Sequence, residues 1–287
     1  MFTRAMPALF VLLWSTGFIG AKYGLPYAEP FTFLSIRFVL IIALLAALAL
    51  AAKAPWPRGR RQIGHLLVSG TLVHAAYLGG VFAAIHHGLP SGMAALLVGL
   101  QPGLTALVAG PLFGERIGGK QWLGLTLGLA GIVLVLAARP TGLSFDGLSW
   151  AGVGFALVAL VGITAGTLYQ KRFGQGMDLR TGSAVQYVGA LAVLFPAALA
   201  VESLRVEWSL QFVLALGWLV LVLSFGAITL LMMLIRNCEA ARVASLFYLV
   251  PPVTAAIAWA LFGESLTPVG LAGMALAALG VALVIRR

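Results

Sequence analysis

Six side chains place polar or aromatic chemistry inside long apolar runs: Trp14, Arg37, His74, Tyr77, Gln101 and Tyr248. A polar group in such a run costs free energy unless it finds a partner, so these positions are candidates for an interior pathway. Arg37 is the most expensive. It lies six residues into its run, about 9 Å deep at 1.5 Å per residue. An arginine at the centre of a membrane helix costs roughly 2.5–3.5 kcal/mol, and less at this depth. Two outlets are open to it. It can reach the outer headgroups, Glu29 or a backbone carbonyl, or it can face the carboxylate of a substrate from the outer edge of a cavity. A free imidazole titrates near neutral pH, which makes His74 the candidate proton carrier.

The spacing of these residues suggests how they are presented. Gly70, His74, Tyr77 and Val81 fall at i, i+4, i+7 and i+11, one stripe of an α-helix, which suits a face turned toward a hydrated cavity. Gln101 precedes Pro102 in mid-run, and Val250 precedes Pro251 at the matching place later in the chain. A proline removes a backbone donor and frees a carbonyl, and such broken backbone is tolerated in a membrane only against protein or a cavity. Trp14 and Tyr248 can supply aromatic walls, whereas Trp56, Trp122, Trp150 and Trp208 fall near run ends, where an interfacial belt is expected. None of this is catalytic or cofactor chemistry. His86 and His87 lack a third ligand at metal spacing, the single Cys238 forms no disulfide framework, and no phosphate-binding loop signature is present. No cofactor and no metal are expected.

The elements that must hold these residues are membrane helices. Hydrophobic residues make up 61% and charged residues 9% of the 287, and the mean hydropathy is +1.05, far from a soluble domain. Ten stretches approach the roughly 20 apolar residues that cross a bilayer: 5–25, 31–52, 63–85, 90–113, 121–138, 148–169, 181–200, 210–235, 240–261 and 268–285. They are continuous rather than alternating, so the fold class is all-α and not a β-barrel. With the N-terminus inside, fourteen of the 18 Lys and Arg residues fall on the cytoplasmic side and three on the other, with Arg37 within a span. That bias puts both termini in the cytoplasm of an inner (plasma) membrane protein. It also accounts for the net charge of +10 through contact with anionic lipid, so nucleic acid is not an expected partner. The first run starts too early and runs too long for a cleaved signal peptide.

The chain also repeats itself. Residues 95–134 and 244–283 align without a gap at an offset of 149, with fifteen of forty positions identical, including Leu112-Phe113-Gly114-Glu115 against Leu261-Phe262-Gly263-Glu264. Two units follow, 1–140 and 141–287, each of five spans. An odd number of spans inverts the second unit relative to the first, which is the architecture of secondary transporters. The inversion sends Glu115 and Glu264 to opposite faces, so each is expected to cap or pair locally, Glu115 with Arg116 or Lys120. Gly124 and Gly131, with Gly273 and Gly280, recur seven apart on one face and are expected to pack the fifth span against the tenth. Arg37 has Gln186 as its repeat partner.

These motifs resemble the EamA family of the drug/metabolite transporter superfamily. The stretch Ala94–Val135, with Leu112-Phe113-Gly114-Glu115-Arg116, Gln121, Gly124 and Gly131, is similar to the EamA repeat, and Ala244–Leu283 is its second copy. Trp14-Ser15 and Arg37-Phe38 match the opening of the family's first repeat, and Leu13-Trp14-Ser15-Thr16 resembles amino-acid exporters of the YddG type. The second half departs from the first at Ser265 and Ile163, which stand where Arg116 and Trp14 do. The resemblance implies a ten-helix exporter with its pathway between the halves, working as a monomer on a small-molecule substrate. The cargo expected is an amino acid, aromatic ones included, moved by alternating access. The alternatives are a multidrug or cation exporter of the same fold and an intramembrane enzyme.

Overall fold

Each helix of the first half has a counterpart 149 residues on, give or take two residues at either end. The computed structural model describes residues 2–89, 94, 97–115, 117–138, 149–262 and 267–285. Along them run α1 (Phe2–Gly24), α2 (Pro30–Ala51), α3 (Arg60–His86), α4 (Gln101–Phe113) and α5 (Gly119–Ala137). Then come α6 (Trp150–Phe173), α7 (Leu179–Val201), α8 (Leu210–Asn237), α9 (Ala240–Ser245), α10 (Val250–Phe262) and α11 (Pro268–Ile285). The described residues are helical apart from short connections and one isolated bridge, Ala28 to Val206. Seven of these helices are long and apolar enough to cross a membrane: α2, α3, α5, α6, α7, α8 and α11. The boundary at 140/141, Arg116 and Glu264 lie outside the described residues.

The starts are set by ordinary capping. Ser149, Asp178 and Ser209 accept the free N–H groups of α6, α7 and α8. α2 has no such cap of its own. Instead Glu202, at the far end of α7, accepts from the N–H groups of Phe31 and Thr32 at 2.7 Å each and from the Thr32 hydroxyl. At the other end of the pair, Thr181 of α7 donates to the Pro55 carbonyl. α2 and α7 therefore run antiparallel, each start held by the segment that follows its counterpart.

A second antiparallel pair, α5 and α11, is closer still. A Cβ added to Gly124 would lie 2.5 Å from the Gly280 carbonyl oxygen, and one on Gly280 would lie 2.5 Å from that of Gly124. Gly131 and Gly273 meet reciprocally at 2.7 and 2.8 Å. Reciprocal contact between equivalent residues is what a two-fold axis between the halves produces, and only glycine permits backbones this near. The halves are also interleaved: α1 packs among α8 and α10, and α6 among α3 and α4.

α3 is not α-helical throughout. Residues Thr71–Gly79 form a π-helix, and Leu219–Ala227 do the same at the corresponding level of α8. π-winding turns the chain through a smaller angle per residue than α-winding. Gly70, His74, Tyr77 and Val81 therefore do not form the regular α-helical stripe expected from their spacing, although His74 and Tyr77 both border Arg37.

Candidate functional site

The polar interior gathers where α2 and α7 cross beside the two π-helices. Arg37 is 3% exposed, and its Nε donates to Ser224 Oγ at 2.7 Å. It neither reaches the surface nor pairs with Glu29, contrary to one expectation from sequence. Glu29 instead accepts from the N–H and hydroxyl of Ser203 at 2.6 Å each, and those bonds hold its carboxyl below the usual range. None of the three ion pairs among the described residues involves Arg37.

Around this guanidinium stand His74, already a candidate, and two groups that sequence reasoning missed, Tyr187 and Ser224. Tyr187 donates to the Ser224 carbonyl at 3.2 Å and packs on Phe38, its own repeat counterpart, with ring centroids 5.3 Å apart. His74 stacks on Tyr187 at 4.2 Å and 16°, and neither ring nitrogen has a hydrogen-bond partner among the described residues. The available signal for Tyr187 was its place next to Gln186, the counterpart of Arg37. Ser224 carried none, because a lone serine in an apolar run is common. Gln186 enters a separate amide cluster, donating to Gln170 Oε1 at 2.7 Å, which also accepts from Ser69 at 2.6 Å.

Tyr77 links the Arg37 guanidinium, whose charge it feels, to a group of aromatic rings. Its ring lies parallel to that of Trp14, at 6.2 Å and 12°, and Phe247 meets Trp14 edge-on at 5.2 Å. Phe10 completes this group against both Trp14 and Phe247. The ninth-span aromatic facing Trp14 is thus Phe247, while Tyr248 lies against α5, where a Cβ on Gly128 would overlap its ring.

Gln101 is fully buried, its amide 3.4 Å from Thr167 Oγ1 on α6. Its Oε1 and the hydroxyls of Thr105 and Thr164, each one turn away on the same two helices, have no partner among the described residues. Pro102 and Pro251 do not kink a continuous span. Each occupies the first turn of a new helix, α4 or α10, after a turn at 99–100 or a 3₁₀ segment, Leu246–Leu249. The missing N–H is harmless there, so the interruption itself is the irregular feature.

Glu115 does not pair with Lys120. It bonds Lys171 at 2.9 Å and accepts from the Ala240 N–H, while Lys171 also donates to the Cys238 carbonyl at 2.7 Å. One cluster so ties the end of α4 to α6 and to the α8–α9 turn. Sequence neighbours could not reveal this, because Lys171 arrives from the other repeat.

The whole arrangement is buried polar chemistry in a helical membrane protein, built where two interleaved repeats meet. Comparison with known proteins agrees. The model of the EamA-like transporter family matches residues 5–137 and again 150–286. The chain is 29% identical over 265 residues to the uncharacterized inner membrane transporter YedA of Escherichia coli K12, covering 92% of this chain and 84% of that one. It is 28% identical over 288 residues to the probable amino-acid metabolite efflux pump of the same strain, covering 95% and 91%. A solved crystal structure superposes with a TM-score of 0.82 at 22% identity, over 98% of this chain and 95% of that one, which shows the shared fold. Matched in both halves by one family model, this multi-pass membrane protein is a transporter and belongs to the EamA-like transporter family.

Proposed function

We propose that the protein is a secondary, non-ATP exporter of small zwitterionic metabolites, chiefly amino acids including aromatic ones, working by alternating access. Arg37 carries this reading: a buried guanidinium between the repeats with no carboxylate in ion-pair contact among the described residues. A buried charge left without a counter-ion is strongly destabilising, and the carboxylate of a substrate supplies one. Trp14, Tyr77 and Phe247 offer an aromatic surface to a side chain, and the unpartnered oxygens of Gln101, Thr105 and Thr164 suit an ammonium group. His74 borders the carboxylate end, and Tyr248, next to Phe247 in the chain, lies on the α5 side.

In this reading the chain makes ten spans, five per repeat (1–140 and 141–287), with both termini in the cytoplasm of the inner membrane, and it acts as a monomer. Inverted repeats supply two conformations of similar energy open to opposite sides. The name of the Escherichia coli relative, a probable amino-acid metabolite efflux pump, supports amino acids as cargo. Against a cation exporter stands the charge itself, since Arg37 repels cationic drugs while every described carboxylate lies at or beyond a helix end.

Counterflow in proteoliposomes tests the proposal, comparing amino acids, their methyl esters and cationic dyes. Exchange of the free acids alone is expected, with Arg37→Gln reducing it by at least tenfold in a folded protein. Equal exchange of acids and esters, or full activity in Arg37→Gln, would refute it.

A further inference from the structure

We infer that a groove at the arginine-rich end of the α2–α8 seam binds one anionic phospholipid, its headgroup at Arg236 and Arg180 and an acyl chain along Leu45 and Phe225. The groove encloses about 570 Å³ and is walled by α2 from the first repeat and by α7, α8 and the turn before α7 from the second.

Its two ends differ in chemistry. At one end Arg236 donates to the Met177 carbonyl at 2.6 Å, and Arg180 makes a two-point contact with Asp178 at 3.1 and 2.9 Å. The Arg180 side chain and the backbone N–H groups it caps hold the Asp178 carboxyl below its usual range, so it stays ionised and offsets one arginine. Arg236 is in none of the ion pairs of the described residues. Of the charged residues lining the groove, two are arginines and one is an aspartate, and Pro55, which also lines it, lies in a segment with Lys53 and Arg58 as its nearest charged residues in sequence. The local charge is therefore positive.

At the other end the walls are Leu45 and Phe225, and beside them on the same helices Leu48 and Leu221 are 37% and 57% exposed. A free phosphate would satisfy only the first end. A lipid phosphate with its chain satisfies both, the form that basic inter-helix pockets at a membrane face recognise. Leu45 stands two turns along α2 from Arg37, and Phe225 adjoins Ser224, so the lipid would bridge the two repeats directly below the Arg37–Ser224 bond. That position lets it bias the movement of one repeat on the other.

The experiment titrates the delipidated full-length protein with phosphatidylglycerol and with phosphatidylcholine, reading bound lipid by native mass spectrometry. One phosphatidylglycerol per chain is expected in preference to phosphatidylcholine, undisturbed by millimolar inorganic phosphate. Arg236→Gln should weaken it roughly fivefold, the equivalent of about 1 kcal/mol per basic residue near a membrane surface. Because Arg236 also holds Met177, Thr229→Trp provides a second variant that fills the groove and leaves both arginines in place, and it should reduce binding at least as much. Equal retention of the two lipids, displacement by inorganic phosphate, or unchanged binding in Thr229→Trp would overturn the inference. None of these readouts depends on which substrate is carried.

Discussion

Replacing Gly131 with alanine probes the glycine seam between α5 and α11, and the structure gives the size of the effect. The new Cβ would sit 2.5 Å from the Ala277 nitrogen and 2.7 Å from the Gly273 oxygen, about 0.9 Å inside the 3.4 Å at which ordinary contact begins. Both atoms belong to backbone, so no side chain can swing away and the helices must separate. Overpacking of this kind costs about 1–3 kcal/mol. At roughly 2–4 °C per kcal/mol, the melting temperature in detergent should fall by roughly 2–12 °C. Gly154→Ala is the control, because nothing lies within 4 Å of its added Cβ. It should melt at or slightly above the parent, since alanine is favoured over glycine in a helix by about 0.5–1 kcal/mol. The double variant Gly124→Ala/Gly131→Ala should lose less than the sum of the single losses, because one outward shift of about 0.9 Å relieves both contacts. Equal melting of Gly131→Ala and Gly154→Ala would refute the close-packed seam. Strict additivity in the double variant would refute the rigid separation.

Other outcomes follow from the site and its supports. Gln101→Ala and Tyr77→Ala should each change counterflow rate or substrate preference while melting within a few degrees of the parent; unchanged profiles in both would remove these residues from the pathway. Lys171→Met should lower the melting temperature and expose Cys238 to faster thiol labelling, because it frees the turn held by the Cys238 carbonyl; an unchanged labelling rate would count against the tie. Asp178→Asn should flatten the acid limb of stability. The depressed carboxyl contributes stability that is present above its ordinary value of 3.8 and lost as pH falls through its lowered folded-state value, so the variant should melt below the parent at about pH 6 and converge with it toward about pH 3. Single cysteines in the 114–119 and 263–267 loops, in a Cys238→Ser background, should label from opposite sides of the membrane; labelling from one side would contradict the inverted topology.

Sequence alone determined the class of helix, the duplication and the glycine seam. These depend on local quantities: the length of an apolar run, an offset that recurs, and a seven-residue spacing that stays on one helical face. Gly124 and Gly131 could be assigned to the contact with Gly273 and Gly280 because a symmetric pair needs no knowledge of the rest of the chain. The polar site was legible only in part. Arg37, His74, Tyr77 and Gln101 stood out by the cost of burying them, but their partners did not. Ser224 reaches Arg37 across 187 residues of chain, and Lys171 reaches Glu115 from the opposite repeat. The π-helical stretches were likewise invisible, because i→i+5 winding has no residue signature of its own and is stabilised by what packs around it. Gly70, against which a Cβ would overlap the Gln186 carbonyl, is where α7 presses on the entrance to that stretch. Partner choice and helix winding were therefore decided by tertiary approach, since a hydrogen bond in an apolar interior goes to whichever polar atom the packing brings within reach.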